Sequence, residues 1–395
     1  MATPPDIALN VLEALAAGGM SARRLASRID LTRSTGIGHG IHRFRHGLGR
    51  GEVSPGARVA VYRRIWTAAA ATLDAEIGEL PGGFLEIRRG PVLTRVYQQA
   101  VSLDDAVSTR LSLHKDAVHR LLRSAGLAVP EHVEFDYSDP RTALDFLAGA
   151  PAGCVVKAAH GTGGGDGTTC GITSVAEFRR ARLRAGGRGD ILLIERQVAG
   201  PVYRLLLLDG VLLDVVCQVA PTVDGDGTST IEALMRAETR RRAIAGGEAG
   251  LAPLRVDLDC ILTLARSGLS LDAVPPAATR TAVKTVTNEG RLEDCRTARG
   301  ELCDEIVDEA RRATAAVGLR LAGVDVITPD PTRPLAEAGG VIAEINGMPA
   351  LHRHYQVADP ENVATVAVQI LSRTLDPRLG AASNGGSPLA PLRAR

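Results

Sequence analysis

The feature that most constrains the fold of this chain is a glycine-rich segment between two short stretches of strand-forming residues. Five glycines fall within residues 161–167, and the apolar stretch 154–158 before them carries Lys157. Residues 168–172 return as a second strand, so the segment predicts a strand–loop–strand hairpin. Only glycine lets successive backbone N–H groups turn inward around phosphate oxygens without obstruction by a side chain. The segment therefore predicts a flexible lid over a phosphate group.

Two common phosphate-binding motifs do not match this loop. No Gly-Lys-Ser or Gly-Lys-Thr follows it and no helix is predicted to begin there, which excludes a P-loop. Asp166 stands where a dinucleotide fingerprint counted from Gly161 needs its third glycine. An ordinary glycine-rich surface loop is the alternative interpretation.

Three oxygen-bearing side chains near the C-terminus predict a cation site. Asp325 lies inside the apolar stretch 321–327, and Glu344 and Asn346 are two residues apart, so they share one face of a strand. A buried unpaired carboxylate is costly, which implies a shared cation. Oxygen ligands suit Mg²⁺, which completes its coordination with water and nucleotide phosphates. Salt bridges to nearby arginines are the alternative.

Lysine is rare in this chain, so its positions are informative. Only three of the 46 basic residues are lysines, namely Lys115, Lys157 and Lys284. Lysine is a compact point charge that suits phosphate oxygens, although chance placement is the alternative for each. Glu195 ends an apolar strand ahead of exposed backbone. It is either a partner for an adenine amino group or a solvated acid at the strand end.

The order of predicted elements indicates an α+β or α/β architecture. Apolar spacing predicts helices over 7–15, 59–80 and 112–126, a hairpin over 83–97, and alternating strands and helices to about residue 375. We expect a helical, substrate-side domain over 1–107, a main domain over 108–375 with its lid at about 153–196, and a disordered tail over 376–395.

Residues 21–66 form a basic segment with ten arginines and two acids. Its first part loosely resembles a helix-turn-helix, but the glycines of 36–40 would interrupt the second helix. Nucleic-acid binding is therefore a minor alternative. A packed arm, or a surface facing an acidic substrate or partner, is the main expectation.

Composition excludes several classes of protein. The net charge of +1 argues against a generally cationic nucleic-acid binder or an acidic disordered chain. No apolar run approaches the roughly 20 residues of a membrane span, and the first residues lack the pattern of a signal peptide. The six cysteines include no Cys-x-x-Cys pair, so we expect reduced thiols in a cytoplasmic protein.

Together these features resemble the ATP-grasp superfamily, and more narrowly the ATP-grasp module of cyanophycin synthetases. The shared order is a lysine before a helix, a lysine followed by a glycine loop, an acid at a hinge, and an Asp…Glu-x-Asn set. The segments that carry the resemblance are 114–122 (HKDAVHRLL), 125–130 (AGLAVP), 200–206 (GPVYRLL), 225–234 (GDGTSTIEAL), 268–275 (GLSLDAVP), 322–326 (AGVDV) and 344–354 (EINGMPALHRH). The resemblance covers roughly residues 82–375 and implies an α+β ATP-grasp fold, in which two subdomains clamp ATP beneath the glycine lid.

The resemblance also implies roles for individual residues. The nucleotide-binding set is Lys115, Lys157, Gly163, Gly164, Gly165, Glu195 and the backbone of Gln197 and Val198. The magnesium set is Asp325, Glu344 and Asn346. The candidates for stabilising transition-state charge are Arg204, Arg280 and Lys284. We expect the substrate to be oriented by Arg88, Arg95 and His354.

The chain departs from the family pattern in three places. The segment around Arg280 is altered, and Val202 stands where relatives usually have an acid for the ribose hydroxyls. The chain also lacks the Gly-Lys-Thr loop of the Mur-ligase-like half of cyanophycin synthetases. We therefore expect a single ligation step and not the two-step polymer cycle.

The implied activity is ATP-dependent ligation of a carboxylate to an amine through an acyl phosphate, with Mg²⁺ as the metal and small amino-acid-like molecules as substrates. We expect a homodimer formed through the N-terminal domain. Three alternatives remain open: an ATP-binding scaffold with a nucleic-acid-binding basic segment, a ligase that modifies a peptide or polymer end, and a kinase that stops at phosphoryl transfer.

Overall fold

The structure, a computed structural model, describes residues 4–36, 55–244, 251–359 and 365–376. Its strands are β1 (Glu76–Leu80), β2 (Phe84–Arg89), β3 (Val92–Tyr97), β4 (His132–Asp136), β5 (Cys154–Ala158), β6 (Thr169–Ile172), β7 (Ile191–Arg196), β8 (Val202–Leu208), β9 (Val211–Gln218), β10 (Thr222–Asp224), β11 (Arg280–Ala282), β12 (Cys295–Thr297), β13 (Leu321–Ile327) and β14 (Val341–Asn346). Its α-helices are α1 (Pro4–Ala16), α2 (Met20–Thr35), α3 (Pro55–Thr72), α4 (Ala106–Leu111), α5 (Lys115–Ser124), α6 (Arg141–Ala148), α7 (Val175–Gly186), α8 (Ile231–Ile244), α9 (Leu258–Arg266), α10 (Asp304–Val317), α11 (Leu335–Ala338) and α12 (Val366–Thr374). Within this described part, no helix is both long and apolar enough to cross a membrane.

A four-stranded antiparallel sheet in the order β4–β7–β5–β6 forms one half of the fold. Alternate residues of its inner strands point to opposite faces, as the strand period of two requires. Val156 and Ile194 enter a core with Phe178 of α7, whereas Lys157 and Glu195 line a cleft on the other face. The glycine-rich hairpin predicted for 154–172 is confirmed as β5 and β6.

The helical hairpin of α1 and α2 packs on α7 and extends the core of the four-stranded sheet. Its basic residues bind the C-terminal end of α7, where carbonyl oxygens lack partners within the helix. Arg24 Nε donates to Gly187 O at 2.6 Å, and Arg23 Nη1 donates to Gly186 O at 3.3 Å. Part of the predicted basic segment is therefore a packed arm.

A five-stranded antiparallel sheet in the order β12–β9–β8–β13–β14 forms the other half. One of its faces packs against α5 and α10, as shown by the cluster that contains Leu205, Val324 and Ala313. The other packs against α3, the small sheet β1–β2–β3, and α12, as shown by the cluster that contains Trp66 and Leu206.

The segment 1–107 is thus divided between two cores. Residues 4–35 pack with the four-stranded sheet, whereas the described residues from 55 onward pack with the five-stranded sheet. The prediction of helix over 59–80 was wrong at its end, because Glu76–Leu80 pairs with β2 as strand β1. The predicted hairpin over 83–97 is confirmed by the pairing of β2 with β3. Residues 37–54 of the basic segment and the predicted tail from 377 lie outside the described residues.

A buried carboxylate connects the glycine hairpin to the segment 285–288. Asp259 is fully buried in α9, and its Oδ1 accepts from Cys170 N of β6 at 3.1 Å. Its Oδ2 accepts from the backbone N–H groups of Thr285 at 2.9 Å and Val286 at 3.0 Å. This carboxylate fixes segment 285–288 next to the hairpin at the edge of the cleft.

Candidate active site

A cleft of about 190 Å³ lies between the two large sheets. Side chains from β5, β7 and the glycine loop line one side, and side chains from β8, β13 and β14 line the other. The predicted site residues in its lining are Lys115, Lys157, Gly163, Gly165, Glu195, Gln197, Val198, Arg204, Asp325 and Glu344. Val202, which stands at the expected ribose position, lines it as well.

Three charged side chains form a row across neighbouring strands of the five-stranded sheet. The register places Asp325 of β13 opposite both Arg204 of β8 and Glu344 of β14. Arg204 donates two hydrogen bonds to Asp325, from Nε to Oδ1 at 2.7 Å and from Nη2 to Oδ2 at 2.6 Å. Paired donors of this kind fix both the position and the plane of a carboxylate. The row therefore presents ordered carboxylates to the cleft.

Two lysines from other elements surround this row with positive charge. Lys115 begins α5, and its Nζ lies 3.3 Å from Glu344 Oε1. Lys157 of β5 pairs with Glu195, with Nζ 2.8 Å from Oε2. Burial alone would raise the pKa of Glu344, but the charges of Lys115, Lys157 and Arg204 hold that pKa below its usual value. Glu344 is therefore a carboxylate that stays ionised while facing the cleft.

Glu195 also contacts a buried histidine. His119 of α5 is 1% exposed, and its Nδ1 lies 3.8 Å from Glu195 Oε1. Burial lowers the pKa of His119 to about 4, despite the opposing charge of Glu195. Its imidazole is therefore neutral near pH 7. The Oε1 atom of Glu195 has no hydrogen-bond partner in the described part of the chain, which leaves it available to a ligand.

The glycine loop closely approaches the segment 285–288 at the edge of the cleft. Gly165 has a φ of +70°, and a Cβ there would lie 2.4 Å from Val286 Cγ1 and 3.0 Å from Asn288 Nδ2. Only glycine permits this approach. By contrast, a Cβ on Gly163 or Gly164 would meet no atom of the described residues within 4 Å. The loop is therefore held against the segment 285–288 at Gly165, whereas its tip at Gly163 and Gly164 is open.

The donor set of the cleft fits magnesium. Asp325 and Glu344 are oxygen ligands on adjacent strands, and Asn346 follows Glu344 on the same face of β14. Asn346 is opposite Gly323 and is outside the lining of the cleft as the structure has it. Its buried amide nitrogen has no partner within the described ranges. A donor of this kind suits an acceptor such as a phosphate oxygen, whereas a magnesium ion would take the amide oxygen of the same side chain.

Lys284 requires a correction, because the structure places it outside the cleft. Its ammonium lies 2.8 Å from Asp257 Oδ2 and 2.9 Å from Glu289 Oε2, and the residue is 2% exposed. Burial alone would lower the pKa of Lys284, but the two carboxylates raise it above its usual value. Asp257 also caps α9. Lys284 therefore stabilises the junction of α9 with residues 284–289.

Four further predicted residues also lie outside the cleft. Arg88 and Arg95 are exposed on the small sheet, where Arg95 pairs with Glu86 at 2.9 Å. Arg280 is exposed on β11, with Nε 3.4 Å from Asp224 Oδ1. His354 is 1% exposed, and its Nδ1 lies 2.8 Å from Asp214 Oδ2. The structure therefore does not bring these side chains to the cleft, where the predicted roles in substrate binding (Arg88, Arg95 and His354) and in catalysis (Arg280) would place them. Gly164 likewise lies outside the lining.

The sequence pattern missed a group of residues at one end of the cleft. Gln218, Thr287 and Asn288 line it, and a small adjoining cavity shares Gln218 and Thr287 and adds Arg353 and Gln356. Both amide atoms of Gln356 are buried without a partner in the part of the chain described. Burial, together with the charge of Arg204, lowers the pKa of Arg353 to about 10. Arg353 directly precedes His354 in the chain. The sequence analysis therefore identified the correct segment but selected the neighbouring residue.

The architecture is that of the ATP-grasp fold, which confirms the predicted fold class. The structure of a bifunctional glutathione synthetase from Pasteurella multocida superposes with a TM-score of 0.51 at 22% identity, covering 79% of this chain and 43% of that one. No protein-family model matches the chain.

Sequence comparison also finds similarity to a glutathione biosynthesis protein, and to cyanophycin synthetases. Cyanophycin synthetase from Trichormus variabilis is 29% identical over 269 residues, which are 67% of this chain and 30% of that protein. The glutathione biosynthesis bifunctional protein GshAB from Mannheimia succiniciproducens is 28% identical over 291 residues, covering 71% of this chain and 38% of that protein. The chain therefore resembles the ATP-grasp module of cyanophycin synthetases and spans about a third of the length of these relatives.

Proposed function

We propose that this chain is an ATP-dependent carboxylate–amine ligase that forms an amide bond and releases ADP and phosphate. The observation that carries the proposal is the arrangement of Lys115 and Lys157 around Asp325 and Glu344 in one cleft. Ordered cations beside ordered carboxylates suit a magnesium–nucleotide complex, because the cations contact phosphate oxygens while the carboxylates hold the metal. The similarity to cyanophycin synthetase and to a glutathione biosynthesis protein supports the same class of reaction.

The nucleotide would lie against the four-stranded sheet. Lys115 and Lys157 would contact its phosphates, and the loop from Gly163 to Gly165 would cover them. Glu195 has a free buried oxygen to accept from an adenine amino group. The N–H of Gln197 already donates to Gly153 O at 3.0 Å. The adenine edge would therefore rely on the backbone of Val198.

Asp325, Glu344 and Asn346 would hold magnesium, which supplies charge neutralisation among the phosphate oxygens when it is bound. Arg204 keeps Asp325 in a fixed plane and adds a positive charge beside it. A buried guanidinium whose geometry is fixed before reaction needs no reorganisation as negative charge develops. Arg204 is therefore proposed to stabilise the transferring phosphoryl group.

The reaction would proceed in two displacements. A carboxylate oxygen attacks the γ-phosphorus, the bond to the β–γ bridging oxygen breaks, and an acyl phosphate and ADP result. An amine nitrogen then attacks the acyl carbon, phosphate leaves, and the nitrogen loses a proton. Water competes with the amine at this stage, so the contact of Gly165 with Val286 would serve to exclude it.

The carboxylate substrate would lie at the end of the cleft that adjoins the small cavity. Arg353 donates to Asn288 O at 2.7 Å and to Asn288 Oδ1 at 3.3 Å. Its lowered pKa reflects burial beside another arginine, a situation that a bound anion relieves. Gln218 and Gln356 offer unpaired amide groups nearby. This combination suits a small substrate with a carboxylate and further polar groups, such as an amino acid.

Trapping with hydroxylamine tests the proposal without knowledge of the amine. Hydroxylamine attacks an acyl phosphate to give a hydroxamate, which is detected by its coloured iron(III) complex. We expect hydroxamate to form with Mg·ATP and an amino-acid pool in the wild type, and to be lost in Lys157→Ala and Glu344→Ala. Both variants must keep the wild-type circular dichroism spectrum.

A stable phosphate ester without hydroxamate would instead identify a kinase. Retention on DNA that weakens with salt, without nucleotide turnover, would favour the scaffold alternative. Arg23 and Arg24 of α2 give little support to that alternative, since they bind the end of α7.

A further inference from the structure

A second cluster of ionisable side chains lies beside the start of the glycine loop and outside the lining of the cleft. It consists of His114, Asp116 and His160, and one nitrogen or oxygen atom of each lies within 4.8 Å of the corresponding atoms of the other two. All three residues are half-buried. Their closeness is not a consequence of sequence proximity, because His160 comes from a different element.

The backbone holds the two segments of this cluster together. His114 and His160 form an isolated antiparallel β-bridge, and Lys115 N donates to Ala159 O at 3.0 Å. The two imidazole rings stack with centroids 5.1 Å apart and planes inclined by 24°. His114 is the N-cap of α5 and Asp116 lies in its first turn. His114 and Asp116 are therefore positioned by the start of α5, and His160 is positioned by the end of β5.

The carboxylate of this cluster lacks a partner at one of its oxygens. Asp116 Oδ1 is buried and has no hydrogen-bond partner among the described residues. The side chain of Glu134 of β4 lies next to that of Asp116. Two adjacent carboxylates repel each other, and a cation bound between them removes that repulsion.

We propose that His114, Asp116 and His160 form a binding site for a divalent transition-metal ion of the zinc class, with Glu134 as the neighbouring candidate for a fourth ligand. Two imidazoles favour zinc, cobalt or nickel over magnesium, which prefers oxygen ligands only. Zinc binds nitrogen at about 2.0–2.1 Å in a tetrahedral arrangement, so its ligand atoms lie about 3.3 Å apart. The present separations of up to 4.8 Å must therefore shorten when the ion binds.

A bound ion would tie the start of α5 to the end of β5. The start of α5 carries Lys115, and the end of β5 leads into the glycine loop, which begins at Gly161. The ion would thereby fix the position at which the loop begins relative to Lys115. This site is independent of the proposed ligase activity, since it can be measured without nucleotide.

Titration of the full chain with Co²⁺ tests the site, with Mg²⁺ in excess so that the oxygen ligands of the cleft are occupied. Four-coordinate Co²⁺ with nitrogen ligands has intense visible absorption bands. We expect these bands in the wild type, and a loss of Co²⁺ affinity of at least about 100-fold in the double variant His114→Ala/His160→Ala. Asp116→Asn should weaken binding to a smaller extent.

A matched control comes from the chain itself. His39, His42 and His46 also carry imidazoles at close spacing and lie outside the described residues. The triple variant His39→Ala/His42→Ala/His46→Ala should keep the bands. Loss of the bands in the triple variant but not in the double variant would overturn the proposal, as would a wild type that binds Co²⁺ no better than the double variant.

Two further measurements keep the test decisive. Circular dichroism and thermal unfolding in EDTA should be the same for the wild type and the double variant. If they differ, the variant His114→Gln/His160→Gln is used in place of the alanine double variant. Zn²⁺ should slow amide hydrogen exchange at residues 158–162 in the wild type only. Equal exchange with and without Zn²⁺ would contradict the tie between α5 and the loop.

Discussion

Arg204 and Asp325 face each other on neighbouring strands and are joined by two hydrogen bonds of 2.7 and 2.6 Å between buried side chains. Removal of one partner leaves a buried charge, so Arg204→Ala should lower the free energy of unfolding by about 3–5 kcal/mol. The double variant Arg204→Met/Asp325→Leu removes both charges and should recover most of that loss. Denaturant unfolding measures both effects.

The double variant also separates stability from function. It should fold but form no amide, because it lacks the proposed metal ligand Asp325. If it turned over Mg·ATP at the wild-type rate, the proposed role of this pair at the reaction centre would be wrong.

Lys157 and Glu195 give a second pair of variants. Lys157→Met combined with Glu195→Gln removes a buried ion pair without leaving a charge unpaired. We expect a loss of about 100- to 1000-fold in kcat/KM for ATP, since a charged donor to the phosphates is removed. Glu195→Gln alone should act mainly through a higher KM for ATP. Steady-state kinetics with the fold checked by circular dichroism decides the outcome, and equal losses in both variants would contradict the assignment of Lys157.

Lys284, unlike Lys157, should matter for stability and not for catalysis. It lies buried between Asp257 and Glu289, so Lys284→Met should lower the free energy of unfolding by about 3–5 kcal/mol. At a temperature where the variant is folded, its kcat should stay within a few-fold of the wild type. An unchanged unfolding transition together with a large loss of kcat would restore the catalytic role predicted from the sequence.

Gly165 tests the closure of the loop. Gly165→Ala places a Cβ against Val286 at a φ of +70°, so the loop should fail to close fully and water should reach the acyl phosphate. We expect more ADP than amide product, whereas the wild type should form them in equal amounts. Gly163→Ala adds a Cβ in open space and should have a smaller effect on the ratio. Equal ratios for both variants would argue against the contact with Val286 as the closing point.

The pH dependence of stability should contain a contribution from His119. Burial lowers its pKa to about 4, compared with about 6.5 in the unfolded chain. The unfolded chain therefore binds more protons between these values, so stability is fully present above pH 6.5 and falls as the pH drops toward 4. Between pH 7 and pH 5 this amounts to about 2 kcal/mol. His119→Gln should lose less stability over that interval by about this amount, and identical pH profiles would contradict the buried, neutral imidazole.

The sequence predicted best those features that depend on local pattern. The period of two in a strand places Glu344 and Asn346 on one face, and the run of glycines identified the loop after Lys157. A salt bridge from Asp325 to an arginine was the alternative interpretation, and the structure contains one. Its partner, Arg204, could not be identified from the sequence, because that depends on which strands become neighbours. Lys284 was misassigned for the same reason: its partner Asp257 comes from α9, which no local pattern connects to it.

The arginines show the same limit. Arg88 and Arg95 are residues of the type that binds a carboxylate substrate. They are exposed on the small sheet and do not line the cleft. Arg353 was missed because its role depends on the direction of its side chain: Arg353 faces the small cavity and Asn288, whereas the neighbouring His354 faces Asp214.

The central claim is that one cleft activates a carboxylate and joins it to an amine. Its most direct test is incubation of the protein with Mg·ATP and pooled amino acids, with ADP quantified and the products weighed by mass spectrometry. The account predicts a new species whose mass equals two pool members minus water, formed in equal amount with ADP and absent in Glu344→Ala. ADP formation with only a phosphorylated pool member, or a product that persists in Glu344→Ala, would contradict it.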